Sequence, residues 1–340
     1  MAETTEPTGD TMALHPFTLP ISRRSWLAAS AALTLAPGWA QPAFPNRPLT
    51  IIVPFTAGGS SDIGARMLAT ELSRLLGQPV LVDNVAGAGG AIGVQKLLRS
   101  AADGYTLLYG GLSESLLIPL INPAVNYKPE DMLPIAMVGS TPVVFVTRPD
   151  FPANNVDELI AMARKNPGKL SFGSAGIGSF AHVMTEVIKE RARVFMVHIP
   201  YRGGAQILTD VISGQIDIGV TTVTSAASMI GGKRVKVLGV SSRQRVAIIR
   251  EVPTFAESQS LKGLEMQVWG MLFAPPGTPA ATVARLNAAS NAAMELPGIK
   301  AMLAKLGAEL PSLLSPAQAQ AFVQAEQTLY RPVVSRIKPE

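Results

Sequence analysis

The sequence predicts an α/β fold made of two lobes with largely parallel sheets. Short apolar strands alternate with amphipathic helices along most of the chain, which is the pattern of parallel sheets covered by helices. Glycine-rich turns follow several of the strands. The length of 340 residues suits two domains, and 47% apolar against 16% charged residues supplies enough material for buried cores.

The first unit opens on a buried strand at 49–53, which Pro54 ends. A glycine and serine turn at 55–62 leads into a helix whose leucines recur at helical spacing, with Asp62 or a nearby serine as the expected N-cap. Gly77 is the expected stop of this helix. A strand at 80–82, a glycine-rich loop at 83–93, a helix at 94–102 and a strand at 105–109 then repeat the unit.

The pattern restarts near residue 143 and defines a second unit. Its predicted strands lie at 143–147, 170–173, 197–199, 216–220 and 235–240, and its predicted helices at 156–165, 181–190 and through Val211. A strand at 267–274 and an Ala-rich helical tail follow. Because the chain crosses near 141–147 and returns near 266–274, we expect lobe 1 to comprise 41–142 plus 267–340, and lobe 2 to comprise 143–266.

Residues 1–40 have the pattern of a secretory signal peptide. Arg23 and Arg24 precede a short apolar run from Trp26 to Leu35, and small residues lead to a cleavage site near Ala40. The segment 22–27 also resembles the twin-arginine export signal, so the sequence leaves both export routes open. Met12 is an alternative start. We expect an exported, soluble mature chain.

Composition excludes several function classes. The chain has no cysteine and three histidines, so thiol catalysis, disulfides and zinc sites are not expected. Basic residues are scattered despite a net charge of +5, and aromatic residues are scarce, which argues against nucleic-acid binding. The GxGxxA pattern at 176–181 lacks the acidic residue that a dinucleotide site needs about 20 residues further on. We therefore expect neither a cofactor nor a metal.

Three strand-to-helix loops, at 55–62, 84–93 and 174–180, combine glycine with hydroxyl groups. Glycine lets the backbone approach a ligand closely, and a helix N-terminus offers free N–H groups with a partial positive charge. Such loops form anion sites without basic side chains. Each loop taken alone is better explained by a tight turn, but three of them in two lobes favour a shared cleft.

The alternative hypothesis for the function is an exported serine hydrolase that uses Ser174 and His182. A nucleophile elbow needs glycine two residues before and after the serine; Gly176 is present, but position 172 is Phe. We expect His182 to cap or pack on the helix after the loop, and His198 to be a satisfied residue of the core or its rim. Asp217 is either a paired structural acid or a ligand contact.

Short motifs follow one another in a fixed order over 47–340. They are Ile52-Val53-Pro54-Phe55-x-x-Gly58-Gly59-x-x-Asp62, Asn84-x-x-Gly87-Ala88-Gly89-Gly90, Asp103-Gly104-Tyr105-Thr106, Gly178-Ser179-x-x-His182, Ile199-Pro200-Tyr201-Arg202-Gly203, Gly214-Gln215-Ile216-Asp217 and Ala274-Pro275-x-Gly277-Thr278-Pro279. This ordered set resembles the extracytoplasmic solute receptors of tripartite tricarboxylate transporters, the Bug receptors. The usual Arg-Pro of the second loop is Val85-Ala86 here, and the usual Tyr-Lys-Gly is Tyr201-Arg202-Gly203.

The resemblance implies a Venus-flytrap fold, like that of type II periplasmic binding proteins, and no enzymatic activity. It implies that a monomer in the periplasm closes over a small carboxylate, either a dicarboxylate, an amino acid or an aromatic acid. Membrane permease subunits or a sensor kinase would be its partners. The ligand-binding residues it implies are Phe55, Thr56, Ala57, Gly58, Gly59, Asn84 and Ser113 on one side, and Ser174, Gly178, Ser179, Tyr201, Arg202 and Gly203 on the other.

Overall fold

The structure is a computed structural model that describes residues 44–337. The predicted signal peptide and its cleavage site lie outside the described residues. The strands are β1 (Leu49–Val53), β2 (Val80–Asn84), β3 (Thr106–Gly111), β4 (Leu133–Thr147), β5 (Ser171–Ser174), β6 (Val197–Pro200), β7 (Ile218–Thr222), β8 (Lys236–Val240) and β9 (Gln267–Ala274). The α-helices are α1 (Ser60–Leu76), α2 (Ala91–Leu98), α3 (Ile118–Ile121), α4 (Val156–Lys165), α5 (Phe180–Ala192), α6 (Gly204–Ile212), α7 (Val223–Gly231), α8 (Ala280–Glu295), α9 (Pro297–Lys305) and α10 (Pro316–Val334).

The strands pair in the order β2-β1-β3-β9-β4-β7-β5-β6, with β8 also on β4. We call β1, β2, β3, β9 and the part of β4 that pairs with β9 the first sheet, and β5 to β8 with the rest of β4 the second sheet. Within each sheet the strands that alternate with helices are parallel, as predicted. Strands β4 and β9 are antiparallel to their neighbours, so the sheets are mixed.

Strand β4 belongs to both sheets. Its residues up to Pro142 pair with β9, and those from Val143 onward pair with β7 and β8. This change of partner falls where the sequence places a lobe boundary, although the boundaries at 142/143 and 266/267 stay predictions. The first ten residues of β4 were not predicted as a strand, because Pro134 and Gly139 interrupt the apolar run.

Most predicted elements agree with the structure, and two details are wrong. The N-cap of α1 is Gly59, whereas Asp62 lies in the first turn and accepts a hydrogen bond from the Gly58 N–H at 3.0 Å. The helix predicted at 94–102 lies at Ala91–Leu98, so it both begins and ends earlier; Gly90 supplies the left-handed backbone that turns the loop into the helix. Gly77 ends α1 in the left-handed conformation, as predicted.

Apolar residues of the strands form continuous cores against the helices. The largest fully buried side chains are Phe145, Phe172, Phe180, Phe255 and Phe273. Phe145 lies on the second part of β4 and meets Phe255 edge to face, with ring centroids 5.0 Å apart. Among the described residues, no helix has both the length and the apolarity to cross a membrane.

Replacing Phe145 with Ala should lower the free energy of unfolding by about 3–5 kcal/mol, because the ring is wholly buried and leaves a cavity. Denaturant unfolding followed by circular dichroism measures the loss. Leu329→Ala on α10 is the control, since this side chain is 62% exposed and should change stability by no more than about 0.5 kcal/mol. Equal losses in the two variants would contradict the assignment of Phe145 to the core.

Candidate functional site

The loops at the carboxyl ends of strands from both sheets line one cavity. Its walls come from the segments after β1, β3, β5, β6 and β7, and its empty volume is about 1070 Å³, including the part open to solvent. This is the edge at which open α/β sheets bind ligands. The polar and small residues on these loops are Gly59, Ser60, Ser61, Ser113, Glu114, Ala175, Ser179, Gly203, Gly204, Thr222 and Ser225.

Four α-helices begin at the cavity. Helix α1 starts at Ser60, α5 at Phe180, α6 at Gly204 and α7 at Val223, and residues of the first turn of each line the wall. Each N-terminus carries a partial positive charge and N–H groups without partners inside the helix. The described residues that line the cavity include no Arg, Lys or His. The cavity is therefore suited to an anion that is bound by backbone dipoles.

Hydrogen bonds join the two sides of the cavity. The backbone N–H of Ser60, on the first side, donates to Ser225 Oγ at 2.9 Å. The N–H of Phe180, on the second side, donates to Ser113 Oγ at 2.9 Å. We call the loop after β1 the first lip of the cleft and the loops after β5 and β6 the second lip. The two lips also touch, since a Cβ on Gly203 would lie only 2.2 Å from Thr56 Oγ1. The structure is thus a closed form of the cleft.

Five of the thirteen predicted site residues line the cavity. They are Phe55, Gly59, Ser113, Ser179 and Gly203. Ser179 is also the N-cap of α5, and Ser113 Oγ accepts the first N–H of that helix. These two hydroxyls therefore hold the N-terminus of α5 against the cavity.

Four further predicted residues shape the first lip without lining the cavity. Thr56 packs against Gly203, and Ala57 and Gly58 are exposed. The Asn84 side chain connects the first lip to α1: its Nδ2 donates to the Phe55 carbonyl at 3.1 Å, and its Oδ1 accepts from Arg66 at 3.0 Å. The assignment of these four residues as ligand contacts stays a prediction.

Of the remaining four predicted residues, three lie behind the second lip and Arg202 is exposed. Ser174 is fully buried. Gly178 packs on Ile118 of α3. The Tyr201 hydroxyl donates to Asp210 at 2.7 Å, and burial together with this carboxylate raises the pKa of Tyr201. Arg202 points to solvent, so the cation that the motif supplies does not line the closed cavity.

His182 and His198 contact residues of the loop after β5, which belongs to the second lip. The rings of His182 and His198 stack with centroids 4.2 Å apart. Nδ1 of His182 accepts from the Gly178 N–H at 3.2 Å, and Nε2 of His198 lies 2.6 Å from Ser174 Oγ. Burial, helped by the charge of Lys189, lowers the pKa of His198 to about 4, so it is neutral near pH 7. Both histidines are packing residues, as predicted.

The burial of Ser174 contradicts the hydrolase hypothesis. Its hydroxyl lies 2.6 Å from Nε2 of His198, and the side chain has no exposed surface through which a substrate could reach it. Asp217 likewise has a structural role, because its carboxylate accepts hydrogen bonds from the N–H and hydroxyl of Ser171 at 2.9 and 3.0 Å.

Sequence reasoning missed Glu114. This residue lies in a π-helical turn, Ser113–Leu117, that no hydrophobic period reveals. Its side chain is 1% exposed, and one carboxyl oxygen accepts a hydrogen bond from the Gly111 N–H. Burial raises the pKa of Glu114 to about 8. An acid between the apolar residues Leu112 and Leu116 was the available signal.

A closed cleft between two α/β lobes, surrounded by helix N-termini, is the arrangement of a solute-binding protein. Residues 64–338 match the family described as the tripartite tricarboxylate transporter family receptor. The chain belongs to this family, whose members are periplasmic binding receptors and not enzymes. The resemblance seen in the sequence and the two-lobe, type II-like Venus-flytrap fold are thereby confirmed.

Known relatives agree with this membership. A protein from Pseudomonas sp. (strain P51), described as the UPF0065 protein in the tcbD-tcbE intergenic region, is 40% identical over 292 residues, which cover 84% of this chain and 86% of the relative. The structure of MatC from Rhodopseudomonas palustris with bound malate superposes with a TM-score of 0.81 at 30% identity, covering 86% of this chain and all of MatC. The R. palustris protein Rpa4515 with adipate gives a TM-score of 0.83 at 30% identity, covering 87% and 100% of the two chains.

Replacing Ser174 with Ala should lower the free energy of unfolding by about 1–3 kcal/mol, because a buried polar group loses a partner. Denaturant unfolding measures this loss. A serine-directed organophosphonate should not label Ser174 in the wild-type protein, as mass spectrometry can verify. Ser213→Ala, at an exposed serine, is the control for stability. Labelling of Ser174 would contradict its structural role.

Proposed function

We propose that this protein captures a small carboxylate in the closed cavity and presents it to membrane permease subunits of a tripartite tricarboxylate-type transporter or to a sensor kinase. The convergence of four helix N-termini on a cavity whose described lining contains no basic side chain carries the proposal. Backbone dipoles stabilise a carboxylate there at little cost in desolvation, because the donors are already oriented. The protein would work as a monomer in the periplasm, after cleavage near Ala40.

The ligand classes that fit are a dicarboxylate, an amino acid and an aromatic acid. The similar proteins MatC and Rpa4515 were solved with malate and adipate, which supports a small acid as the ligand of this chain. Apolar residues such as Val143, Val268 and Trp269 also line the cavity. These side chains would contact the carbon skeleton of the acid, while the loops hold its carboxylate.

Closure would be the signal that the partner reads. In the closed form Ser60 bonds to Ser225 and Phe180 bonds to Ser113, so the two lips present one joined surface. A ligand that contacts both sides stabilises this form, because it binds the closed state better than the open one. The predicted residues Thr56, Ala57, Gly58 and Arg202 lie on or beside this rim, where they would contact the partner or the entering acid.

Binding should raise the melting temperature of the chain from Gln41 onward in the presence of one acid from a panel of malate, adipate, glutamate and benzoate. At a free concentration about 100 times the dissociation constant, the stabilisation should be about 2.7 kcal/mol. A thermal-shift screen measures it, and chromatography of the recovered acid should show that it is unchanged. Flat curves across the panel, in protein unfolded and refolded to remove carried-over ligand, would speak against a carboxylate receptor.

Replacing Gly203 with Ala should weaken binding of that acid by about tenfold or more, because the new methyl group would collide with Thr56 Oγ1 and hold the lips apart. The extended backbone of Gly203 accepts any residue, so the fold should be retained. Isothermal titration calorimetry measures the affinity. Adding Thr56→Ala removes the colliding hydroxyl and should restore part of the binding.

Gly231→Ala is the matched control for this series. A Cβ at Gly231, at the end of α7, meets no atom within 4 Å, so the substitution should leave the affinity unchanged. An unaltered affinity in Gly203→Ala, or an equal loss in both glycine variants, would argue that closure of these lips does not contribute to binding.

A further inference from the structure

We propose that Glu114 determines how this cavity recognises its ligand: its neutral carboxyl group donates a hydrogen bond to the bound carboxylate, so that capture requires one proton on this side chain. The inference rests on the proposed function, since it concerns the same cavity and the same class of ligand. Glu114 is the one acidic or basic side chain among the described residues that line the cavity.

The geometry places the Glu114 carboxyl group in the wall with one oxygen already engaged. Its Oε1 accepts a hydrogen bond from the Gly111 N–H. Gly90 makes room for the side chain, because a Cβ at this position would lie 2.8 Å from Glu114 Cβ and 3.2 Å from its Cγ. Its neighbour in the π-helical turn, Ser113, holds the N-terminus of α5 at the cavity. Oε2 is therefore the atom through which Glu114 would meet a ligand held at the helix N-termini.

The charges of the cavity decide which form of Glu114 can accept an anion. No basic side chain of the described lining would offset two carboxylates in one closed space, and like charges held close together disfavour ionisation of one of them. A protonated carboxyl group removes this repulsion and supplies an O–H donor, which a carboxylate lacks. A hydrogen bond from that group to an anion is charge-assisted and therefore strong.

Among the described residues, the elements packed around Glu114 offer no basic partner that would keep it ionised. The titratable groups on β3, α2 and α10 are Tyr109, Lys96, Glu326, Tyr330 and Arg331, and those on the segment between α3 and β4 are Tyr127, Lys128, Glu130 and Asp131. The three basic residues, Lys96, Lys128 and Arg331, are exposed at the surface, and Lys96 pairs with Asp83. Burial raises the pKa of the three tyrosines, so they are neutral near pH 7.

The pKa of Glu114 agrees with this arrangement. Burial raises it to about 8, and hydrogen bonds from the backbone N–H groups of Glu114 and Gly111 lower it only in part. The free protein thus carries the proton on most molecules at pH 7. A bound carboxylate raises the pKa further, so the affinity should be constant below the free-state pKa and should fall about tenfold for each pH unit above it.

The test is calorimetric titration of malate, adipate and benzoate into the wild-type protein at about pH 7 and about pH 9, where the carboxyl groups of all three acids are ionised. For each acid that binds, we expect an affinity about tenfold weaker at the higher pH. Heats measured in buffers of different ionisation enthalpy at the higher pH should report uptake of one proton per bound acid.

Two substitutions separate this role from a structural one. Glu114→Gln keeps a neutral donor of the same shape, so the affinity near pH 7 should be retained and its pH dependence lost. Glu114→Met fills the space but cannot donate, so it should weaken binding by about tenfold to hundredfold at both pH values. Glu326→Gln is the control: it replaces a second acid with a raised pKa, which is half-buried, does not line the cavity and accepts a hydrogen bond from the Trp269 indole, and it should keep the wild-type pH dependence.

A pH dependence that persists in Glu114→Gln, or a wild-type affinity that does not change between the two pH values, would overturn the role of Glu114 and leave the proposed function intact. Failure of every acid to bind at either pH would overturn the proposed function, and this inference with it. Circular dichroism of each variant distinguishes loss of the fold from loss of the hydrogen-bond donor at position 114.

Discussion

The structure depends on the sharing of strand β4 between two sheets. Backbone groups of a buried strand must all find partners, and β4 meets this requirement with β9 along its first part and with β7 and β8 along its second part. One strand therefore ties both sheets together at residues 142 and 143. The loops that follow β1, β3, β5, β6 and β7 consequently meet at one cavity, which a closing motion about such a connection can cover.

The cavity presents helix N-termini where many anion sites have Arg or Lys. Four helices point their N-termini at one space, and the one carboxylic acid among the described residues of its wall is buried with a raised pKa. Burial affects both features, because it strengthens the electric field of a helix terminus and disfavours the charged form of Glu114. A site of this kind would hold a carboxylate firmly yet form no permanent ion pair that would have to be broken for release.

Several polar side chains that suggest catalysis or ligand binding in the sequence instead hold the loops of the two lips in place through hydrogen bonds. Asn84 holds the carbonyl of Phe55, and Tyr201 is fixed by Asp210. Ser174 and His198 form a buried pair beneath the loop that carries Ser179. Buried polar groups need partners, and here the pairing orders loops that line or border the cavity. This structural role of the side chains agrees with membership in a family of binding receptors.

The sequence alone determined the alternation of strands and helices, the stop of α1 at Gly77 and the family motifs, because these are local patterns of apolar spacing, glycine and short loops. It also indicated five residues of the cavity wall, which lie next to strand ends. Only the tertiary structure decided that Glu114 and Ser225 reach the cavity and that Arg202 does not. The reason is physical: burial, side-chain direction and the closure of two lips depend on contacts between residues far apart in the chain, and no local period records them.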